Sequence, residues 1–356
     1  MIIDYGWSDA LRQTFAPFAA RGLIPGRIAV QRRGLYDLVT DAGEVTAQIS
    51  GRLAHEAEEG GGYPAVGDWV AAAVRRHESA ATVHAVLPRR TAFLRKAAMS
   101  VATEQVVAAN VDVAFLVASL NADFNVRRLE RYLATAWQSG AAPVVVLTKA
   151  DLSDDVAAQV SEAERVAFGA PVLAVSVVTG EGVEALAGCV RPRETAVLVG
   201  SSGVGKSSLV NALAGEAVMA TAEIRVRDDR GQHTTTHREL IRLRSGALIL
   251  DTPGMRELGL LHADDGVAAT FEDIQALASR CRFSDCGHTN EPGCAVRAAL
   301  DDGSLDPGRW KSYGKLQREL EHQARREDPL AREAYRRKWV AVHKAAKARM
   351  KHQREV

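Results

Sequence analysis

The chain has 356 residues, 45 Lys and Arg against 44 Asp and Glu, and 47% hydrophobic residues. That length exceeds what one core of up to ~250 residues holds, and the ordinary composition excludes disorder throughout. No unbroken apolar stretch reaches the ~18 residues of a membrane span, the start Met1-Ile2-Ile3-Asp4 lacks a signal-peptide pattern, and four cysteines do not make a disulfide scaffold.

A cytoplasmic, multidomain protein is therefore expected, with no membrane partner and no oligomer signal, so a monomer. The neutral total hides an asymmetry. Residues 309–356 carry 15 Lys and Arg against 6 Asp and Glu, so one end is free to meet a polyanion.

In chain order, a short helix is expected over Ser8 to Ala20. Five strand-like runs follow: Gly26 to Arg32, Tyr36 to Thr40, Val45 to Ile49, Trp69 to Val74 and Ala81 to Leu87. Turn signals such as Arg33-Gly34 and Asp41-Ala42-Gly43 separate them. Five short strands predict a small barrel of OB type over residues 1–96. The patch Glu58-Glu59-Gly60-Gly61-Gly62 reads as a loop tip, and Pro88-Arg89-Arg90 as the start of a linker.

Residues 97–259 alternate apolar strands with helical patterns. The strands are Val113 to Ala118, Val144 to Leu147, Val172 to Val175, Ala196 to Val199 and Leu248 to Leu250. The helices are Val126 to Gln138, Asp154 to Phe168, Val183 to Val190 and Lys206 to Leu213. That alternation predicts a mostly parallel sheet covered on both faces. Residues 260–356 hold a cysteine cluster and then a charged helical tail. Cys189, far from that cluster, reads as a small core residue.

Gly200-Ser201-Ser202-Gly203-Val204-Gly205-Lys206-Ser207, continued by Ser208, fits the G-x-x-x-x-G-K-[ST] phosphate loop. A strand precedes it and a helix follows. Glycines let backbone N–H groups turn toward phosphate oxygens, Lys206 reaches the β- and γ-phosphates, and the Ser207 hydroxyl binds Mg²⁺. Thr148-Lys149-Ala150-Asp151 follows a strand and fits the guanine box [NT]-K-x-D. A carboxylate at Asp151 accepts from guanine N1–H and the 2-amino group together, and adenine offers no such donor pair. Ser176, after the strand Val172 to Val175, begins a weaker match to a second base-contacting loop. Asp251-Thr252-Pro253-Gly254 fits D-x-x-G, with Asp251 suited to a water-mediated Mg²⁺ contact and the Gly254 N–H to the γ-phosphate.

The order of these motifs matters. GTPases normally run phosphate loop, switch I threonine, D-x-x-G, guanine box and base loop. Here the guanine box and base loop precede the phosphate loop, and D-x-x-G comes last. A circular permutation, opened after switch II, gives this order while keeping the sheet. Switch II then leads directly into the cysteine-rich block, so a pull of the γ-phosphate on Gly254 should move that block.

The sequence resembles the RsgA (YjeQ-type) family of circularly permuted GTPases. The residues that carry the resemblance are Ala109-Asn110-Val111-Asp112, Gly200 to Ser208, Gly231-Gln232-His233-Thr234-Thr235-Thr236 and Asp251-Thr252-Pro253-Gly254-Met255-Arg256-Glu257. The resemblance implies an N-terminal OB-like β-barrel, a central α/β permuted phosphate-loop GTPase domain and a C-terminal, mostly helical zinc-binding domain. It also implies a GTP phosphohydrolase with GTP/GDP and Mg²⁺, stimulated by the small (30S) ribosomal subunit, whose 16S rRNA it meets during late maturation.

Met255 stands where many GTPases place a water-orienting glutamine. His233 is the candidate to orient water instead, a role proposed for the corresponding histidine in the family, and an exposed loop histidine is the other reading. Of Thr234, Thr235 and Thr236, Thr235 is taken as the switch I ligand to Mg²⁺. Met255 also favours a competing class, a GTP-dependent RNA-binding switch with incidental hydrolysis. An ATPase or small-molecule kinase is disfavoured by the guanine box.

Cys281-x₄-Cys286-x-His288-x₅-Cys294 supplies three thiolates and an imidazole, a set suited to one closed, structural Zn²⁺ site. Between Arg332 and Arg354, nine Lys and Arg face one acid, and Tyr335 and Trp339 interleave, which reads as an RNA-backbone-binding tail. Arg27, Arg32, Arg33, Arg75 and Arg76 make a second possible RNA face on the barrel.

Overall fold

Ser8 caps the first helix, α1 (Asp9–Ala19), its hydroxyl accepting the Leu11 N–H at 3.3 Å. The structure, a computed structural model, describes residues 1–58, 62–75, 80–96, 104–121, 124–219, 238–251 and 263–327. After α1 come β1 (Ile24–Arg32), β2 (Leu35–Thr40), β3 (Gly43–Ile49), α2 (Gly51–Glu56), β4 (Trp69–Arg75) and β5 (Ala80–Val86). The strands neighbour one another in the order β1-β2-β3-β5-β4, and β4 pairs back onto β1 from Ile24↔Ala72 to Arg27↔Trp69. The sheet is thus a closed five-stranded barrel with one parallel pair, β3 to β5.

Strand periodicity decides what faces in. Val70 and Ala72 join Ile28, Leu38, Val45, Ala47, Ala81 and Val83 inside, whereas Trp69 and Ala71 face outward onto Ile2, Trp7 and Phe15. The expected barrel strands are present within two residues at each end, while α2 was not anticipated.

A hairpin of β6 (Ala92–Lys96) and β7 (Glu104–Ala109) leads out of the barrel. Then follow β8 (Val113–Ser119), α3 (Val126–Ser139), β9 (Ala142–Thr148), α4 (Val156–Ala167), β10 (Val172–Val175) and α5 (Val183–Gly188). The block closes with β11 (Thr195–Val199), α6 (Lys206–Ala214), β12 (Arg238–Arg242) and β13 (Leu248–Asp251). The strand order is β10-β9-β8-β11-β13-β12, all parallel except β12, which runs antiparallel to β13. Alternate residues of β8 face two cores: Ala114 and Leu116 pack with α3, Phe115 and Val117 with α5 and α6. Cys189 lies partly buried at the edge of the second core.

β12 was not read from the sequence, because Arg-Glu-Leu-Ile-Arg is short and largely polar. It has a particular role. It pairs with β1 through Val30↔Glu239 and Gln31↔Arg238, so the barrel and the α/β sheet form one continuous eleven-stranded sheet.

The junction corrects one expectation. Arg27 is not on an RNA face: it is 2% exposed, donating to the carbonyls of Gly67, Tyr5 and Asn110 and to the Thr195 hydroxyl. Burial pulls its pKa down to about 10, so it stays charged at neutral pH and must be fully hydrogen-bonded there. Arg89, in the connection between β5 and β6, is tied down as well. It forks onto the buried Asp68 carboxylate at 2.7 and 2.8 Å.

The C-terminal block contains α7 (Asp264–Thr270), α8 (Glu272–Ala278), α9 (Ala295–Asp301) and α10 (Pro307–Glu327). Its core of Val267, Phe271, Ile274, Val296, Ala299, Leu305, Leu316 and Leu320 also takes in Ala134 of α3. Gly266 permits that docking, since a Cβ there would lie 2.0 Å from the Ala134 carbonyl oxygen. Among the described residues no helix is long and apolar enough to cross a membrane.

Candidate nucleotide site and metal centre

The phosphate loop leaves the end of β11, in the middle of the sheet, where ligand crevices form beyond strand C-termini. Gly200 is required at the exit, because a Cβ would meet the Val117 carbonyl oxygen at 2.4 Å. Gly203 (φ 78°) and Gly205 (φ 95°) take left-handed conformations that side chains resist. The loop delivers Lys206 to the start of α6, where unpaired N–H groups and the helix dipole favour an anion. The Lys206 ammonium donates to the carbonyls of Gly200 and Ser201 at 2.8 and 2.6 Å. Ser202 is exposed on the loop, and Ser207 and Ser208 are half-buried in the first turn of α6.

The guanine box ends β9 and is bonded to this loop. The Thr148 hydroxyl donates to the Val204 carbonyl at 2.6 Å. Lys149 takes φ 60°, which turns its ammonium onto the Gly203 carbonyl at 2.9 Å. Ala150 is buried and Asp151 exposed. The buried Ser176, at the end of β10, donates to the Asp151 carboxylate at 2.5 Å and itself accepts the N–H groups of Val178 and Thr179. One carboxylate oxygen is thereby fixed from below, leaving the carboxylate edge open. Asp251 ends β13, the neighbour of the phosphate-loop strand.

Four motifs spread over 104 positions, Thr148 to Asp251, thus reach the C-terminal ends of β9, β10, β11 and β13 in one sheet, with β8 between β9 and β11. The donor set fits a guanine nucleotide: N–H groups and an ammonium for phosphates, a hydroxyl for a cation, a carboxylate for the base. His233, Thr235, Gly254 and the tail Arg332 to Arg354 lie outside the described residues, as does Arg76.

Two residues of this site carried no sequence signal. Arg128 and Tyr132, one turn apart on α3, both reach the Ser201 hydroxyl, Arg128 donating at 2.8 Å and the Tyr132 hydroxyl lying at 3.3 Å. They sit in an ordinary amphipathic helix about 70 positions upstream, and only the fold brings them to the loop.

The second centre joins the turn after α8 to the start of α9. The ligand atoms of Cys281, Cys286, His288 and Cys294 all lie within 4.8 Å of one another. A tetrahedral ion with Zn–S of ~2.3 Å and Zn–N of ~2.0 Å sets S···S near ~3.8 Å and S···N near ~3.5 Å. The observed separations are 3.9 Å for Cys281 Sγ to Cys294 Sγ, and 3.6 and 3.4 Å from His288 Nδ1 to those two sulfurs. Three thiolates and an imidazole at these spacings fit zinc and leave no open position. His288 has φ 56°, and Glu291 holds that backbone by accepting the N–H groups of Gly287, Thr289 and Asn290. Its own N–H and that of Thr289, above all, keep the Glu291 carboxyl below its usual pKa. Trp310 stands edge-on to the imidazole, ring centroids 5.7 Å apart.

On the barrel, Arg32 pairs with Asp37 at 2.8 Å and Arg33 is exposed, as is Arg75.

The family model described as RsgA GTPase matches residues 86–261. A protein of Opitutus terrae named small ribosomal subunit biogenesis GTPase RsgA is 48% identical over 353 residues, covering 97% of this chain and 96% of that one. Among solved structures, YjeQ from Thermotoga maritima superposes with a TM-score of 0.62 at 26% identity, over 84% of this chain and 98% of the other. YloQ, titled a circularly permuted GTPase, shares the fold with a TM-score of 0.58 at 24% identity, over 85% of this chain and 96% of the other.

Proposed function

We propose, from the premise that this chain belongs to the RsgA family of GTPases, that it binds the small ribosomal subunit, contacts its 16S rRNA and hydrolyses GTP to GDP and phosphate during late maturation of that subunit. It is a GTP hydrolase by family. Its coupling to the subunit is the further step, and the name shared by close relatives supports it.

The observation that carries the nucleotide reading is the pair of bonds from Thr148 to Val204 and from Lys149 to Gly203. They lock the base-reading segment to the phosphate-reading segment, so one ligand with both parts satisfies both. In this reading Asp151 accepts from the guanine edge while Ser176 steadies it. The N–H groups of Ser201 to Ser208 and the Lys206 ammonium hold the phosphates, with Asp251 and the Gly254 N–H on the γ-phosphate side. Ser207 and Thr235 would hold Mg²⁺, which would supply charge neutralisation at the transferred phosphoryl group. His233 orients the attacking water, because Met255 has no group that can accept or donate usefully.

Residues 1–96 form a barrel unit, 97–259 the G domain and 260–356 the zinc unit with a basic tail. Cys281, Cys286, His288 and Cys294 would hold one structural Zn²⁺, which would cross-link a block with a small core. The protein works as a cytoplasmic monomer.

The test is steady-state GTP hydrolysis with and without small subunits, with large subunits as the control. Stimulation by small subunits alone is expected, and its loss in His233→Ala. Tight GTP binding with no stimulation would sink the ribosome-activated reading. Turnover unchanged in His233→Ala would favour the second reading, an RNA-binding switch with incidental hydrolysis, which Met255 favours.

A further inference from the structure

The phosphate loop and the zinc-bearing block both touch one helix, α3. Arg128 of α3 donates to the Ser201 hydroxyl at 2.8 Å, and the Ser201 carbonyl accepts from Lys206 at 2.6 Å. Two positions on, Glu130 faces away from Arg128, because residues i and i+2 do not share a helical face. Glu130 is fully buried. One of its oxygens accepts from Arg127 at 2.7 Å and from Arg309 of α10 at 3.0 Å, and the other has no partner. Arg309, 4% exposed, also forks onto Asp273 at 2.7 and 2.8 Å, donates to the Thr270 carbonyl and lies over the Phe271 ring at 4.7 Å. The next residue, Trp310, is the one that stands edge-on to His288.

From the metal-centre imidazole to the phosphate-loop lysine there is thus an unbroken chain of contacts. It runs through Trp310, Arg309, Glu130, the body of α3, Arg128 and Ser201. The hydrogen-bonded links are 2.6 to 3.0 Å long, the His288–Trp310 link is an edge-on ring contact, and the carrier is a helix of 14 residues, about 21 Å long. A half-satisfied buried carboxylate makes the central link sensitive. Glu130 takes two cations on one oxygen, and losing Arg309 would leave this buried charge with Arg127 alone.

We propose that Arg128 is a positioning residue for the phosphate loop, and that the C-terminal block sets its place through the buried Glu130–Arg309 pair, so that docking of that block and nucleotide affinity are coupled. This rests on the nucleotide-binding reading above and adds a route that does not pass through switch II. By linkage the effect is mutual: a nucleotide that steadies Ser201 also steadies the docked block. The contacts make the coupling physically continuous, and a mutant cycle measures whether energy passes along them.

The experiment is a titration of the full-length, zinc-loaded protein with a fluorescent GDP analogue. Arg128→Ala should weaken binding by about tenfold, within the 5- to 150-fold span usual for such couplings. Arg128→Lys should restore part of it, because an ammonium can make the single bond to Ser201. Glu130→Gln, which touches no part of the phosphate loop, should weaken binding in the same direction. The double variant should be no weaker than the worse single one. If Glu130→Gln does not fold, Glu319→Ala takes its place. It cuts the half-exposed Arg131–Glu319 pair between the same two elements without stranding a buried charge. The thermal midpoint of Arg128→Ala should stay at the wild-type value.

Arg128→Ala binding within about twofold of wild type, or effects that simply add in the double variant, overturns the proposal. Failure of the wild-type protein to bind the analogue overturns the nucleotide reading instead, so the two failures are separable.

Discussion

The Thr148 hydroxyl donates to the Val204 carbonyl across 2.6 Å, joining the end of β9 to the phosphate loop 56 positions later. Both groups are buried, so water cannot replace either one. Thr148→Val keeps the shape and deletes the donor, leaving a buried carbonyl unpaired at about 1–3 kcal/mol. Folding stability should fall by about that amount in denaturant unfolding, and GDP affinity should fall with it in a fluorescence titration, because the phosphate loop loses the bond that places it.

Asp151, the residue proposed to read guanine, has two acceptor oxygens, and Ser176 donates to one of them at 2.5 Å. Asp151→Asn replaces an acceptor by a donor, which suits a base carrying a carbonyl at position 2 rather than an amine. GTP affinity should drop by at least ~100-fold while xanthosine nucleotides gain. Competition between the two nucleotides reads the switch directly.

Arg27 joins three pieces that are remote in sequence: the N-terminal turn at Tyr5, the barrel at Gly67 and the α/β block at Asn110 and Thr195. Arg27→Met fills the space but strands these acceptors. A loss of about 3 kcal/mol is expected in denaturant unfolding. Arg27→Lys should not restore it, because one ammonium cannot span acceptors placed around a planar fork.

Glu319 sits below the usual carboxylate value of 4.5, chiefly because the Arg131 guanidinium donates to it. The folded chain therefore keeps this carboxylate ionised at a pH where the unfolded chain has begun to protonate. Its contribution is complete above 4.5 and is lost as pH falls through the lowered folded value. The thermal midpoints of wild type and Glu319→Gln should differ at neutral pH and converge well below pH 4.5.

Zinc removal should act on one end of the molecule. A structural site of this kind contributes on the order of 10 kcal/mol at neutral pH, more than the modest core of α7 to α10 can replace. Chelation, or Cys286→Ser, should lower helical ellipticity and change the Trp310 emission, since that ring stands on His288. The Trp7–Trp69 pair in the barrel, with ring centroids 4.9 Å apart, should be untouched.

Much of this was legible in the amino-acid sequence because it is local. The phosphate loop, the guanine box and the cysteine cluster each fall within 14 residues, and the chemistry of each depends on side chains that near neighbours position. The five barrel strands and five parallel strands showed themselves because burial on one or both faces imposes a period of two or a continuous apolar run. The reversed motif order identified the permutation, since a sheet's spatial order does not depend on where its chain is cut.

What stayed hidden depends on contacts between elements remote in the chain. Arg27 looked like one more surface cation on a basic barrel, and nothing in its neighbours says that Asn110 and Thr195 will close over it. Arg128 and Glu130 are two charges on an amphipathic helix, and only the docking of α10 and of the phosphate loop gives them different work. β12 is too short and polar to be read as a strand until β1 and β13 lie on either side of it. Sequence determined the motifs and the strands, because residue type and local period are properties of the chain itself. The tertiary structure alone decided which charges are buried and which blocks are joined, because burial and pairing are set by whichever distant segment arrives.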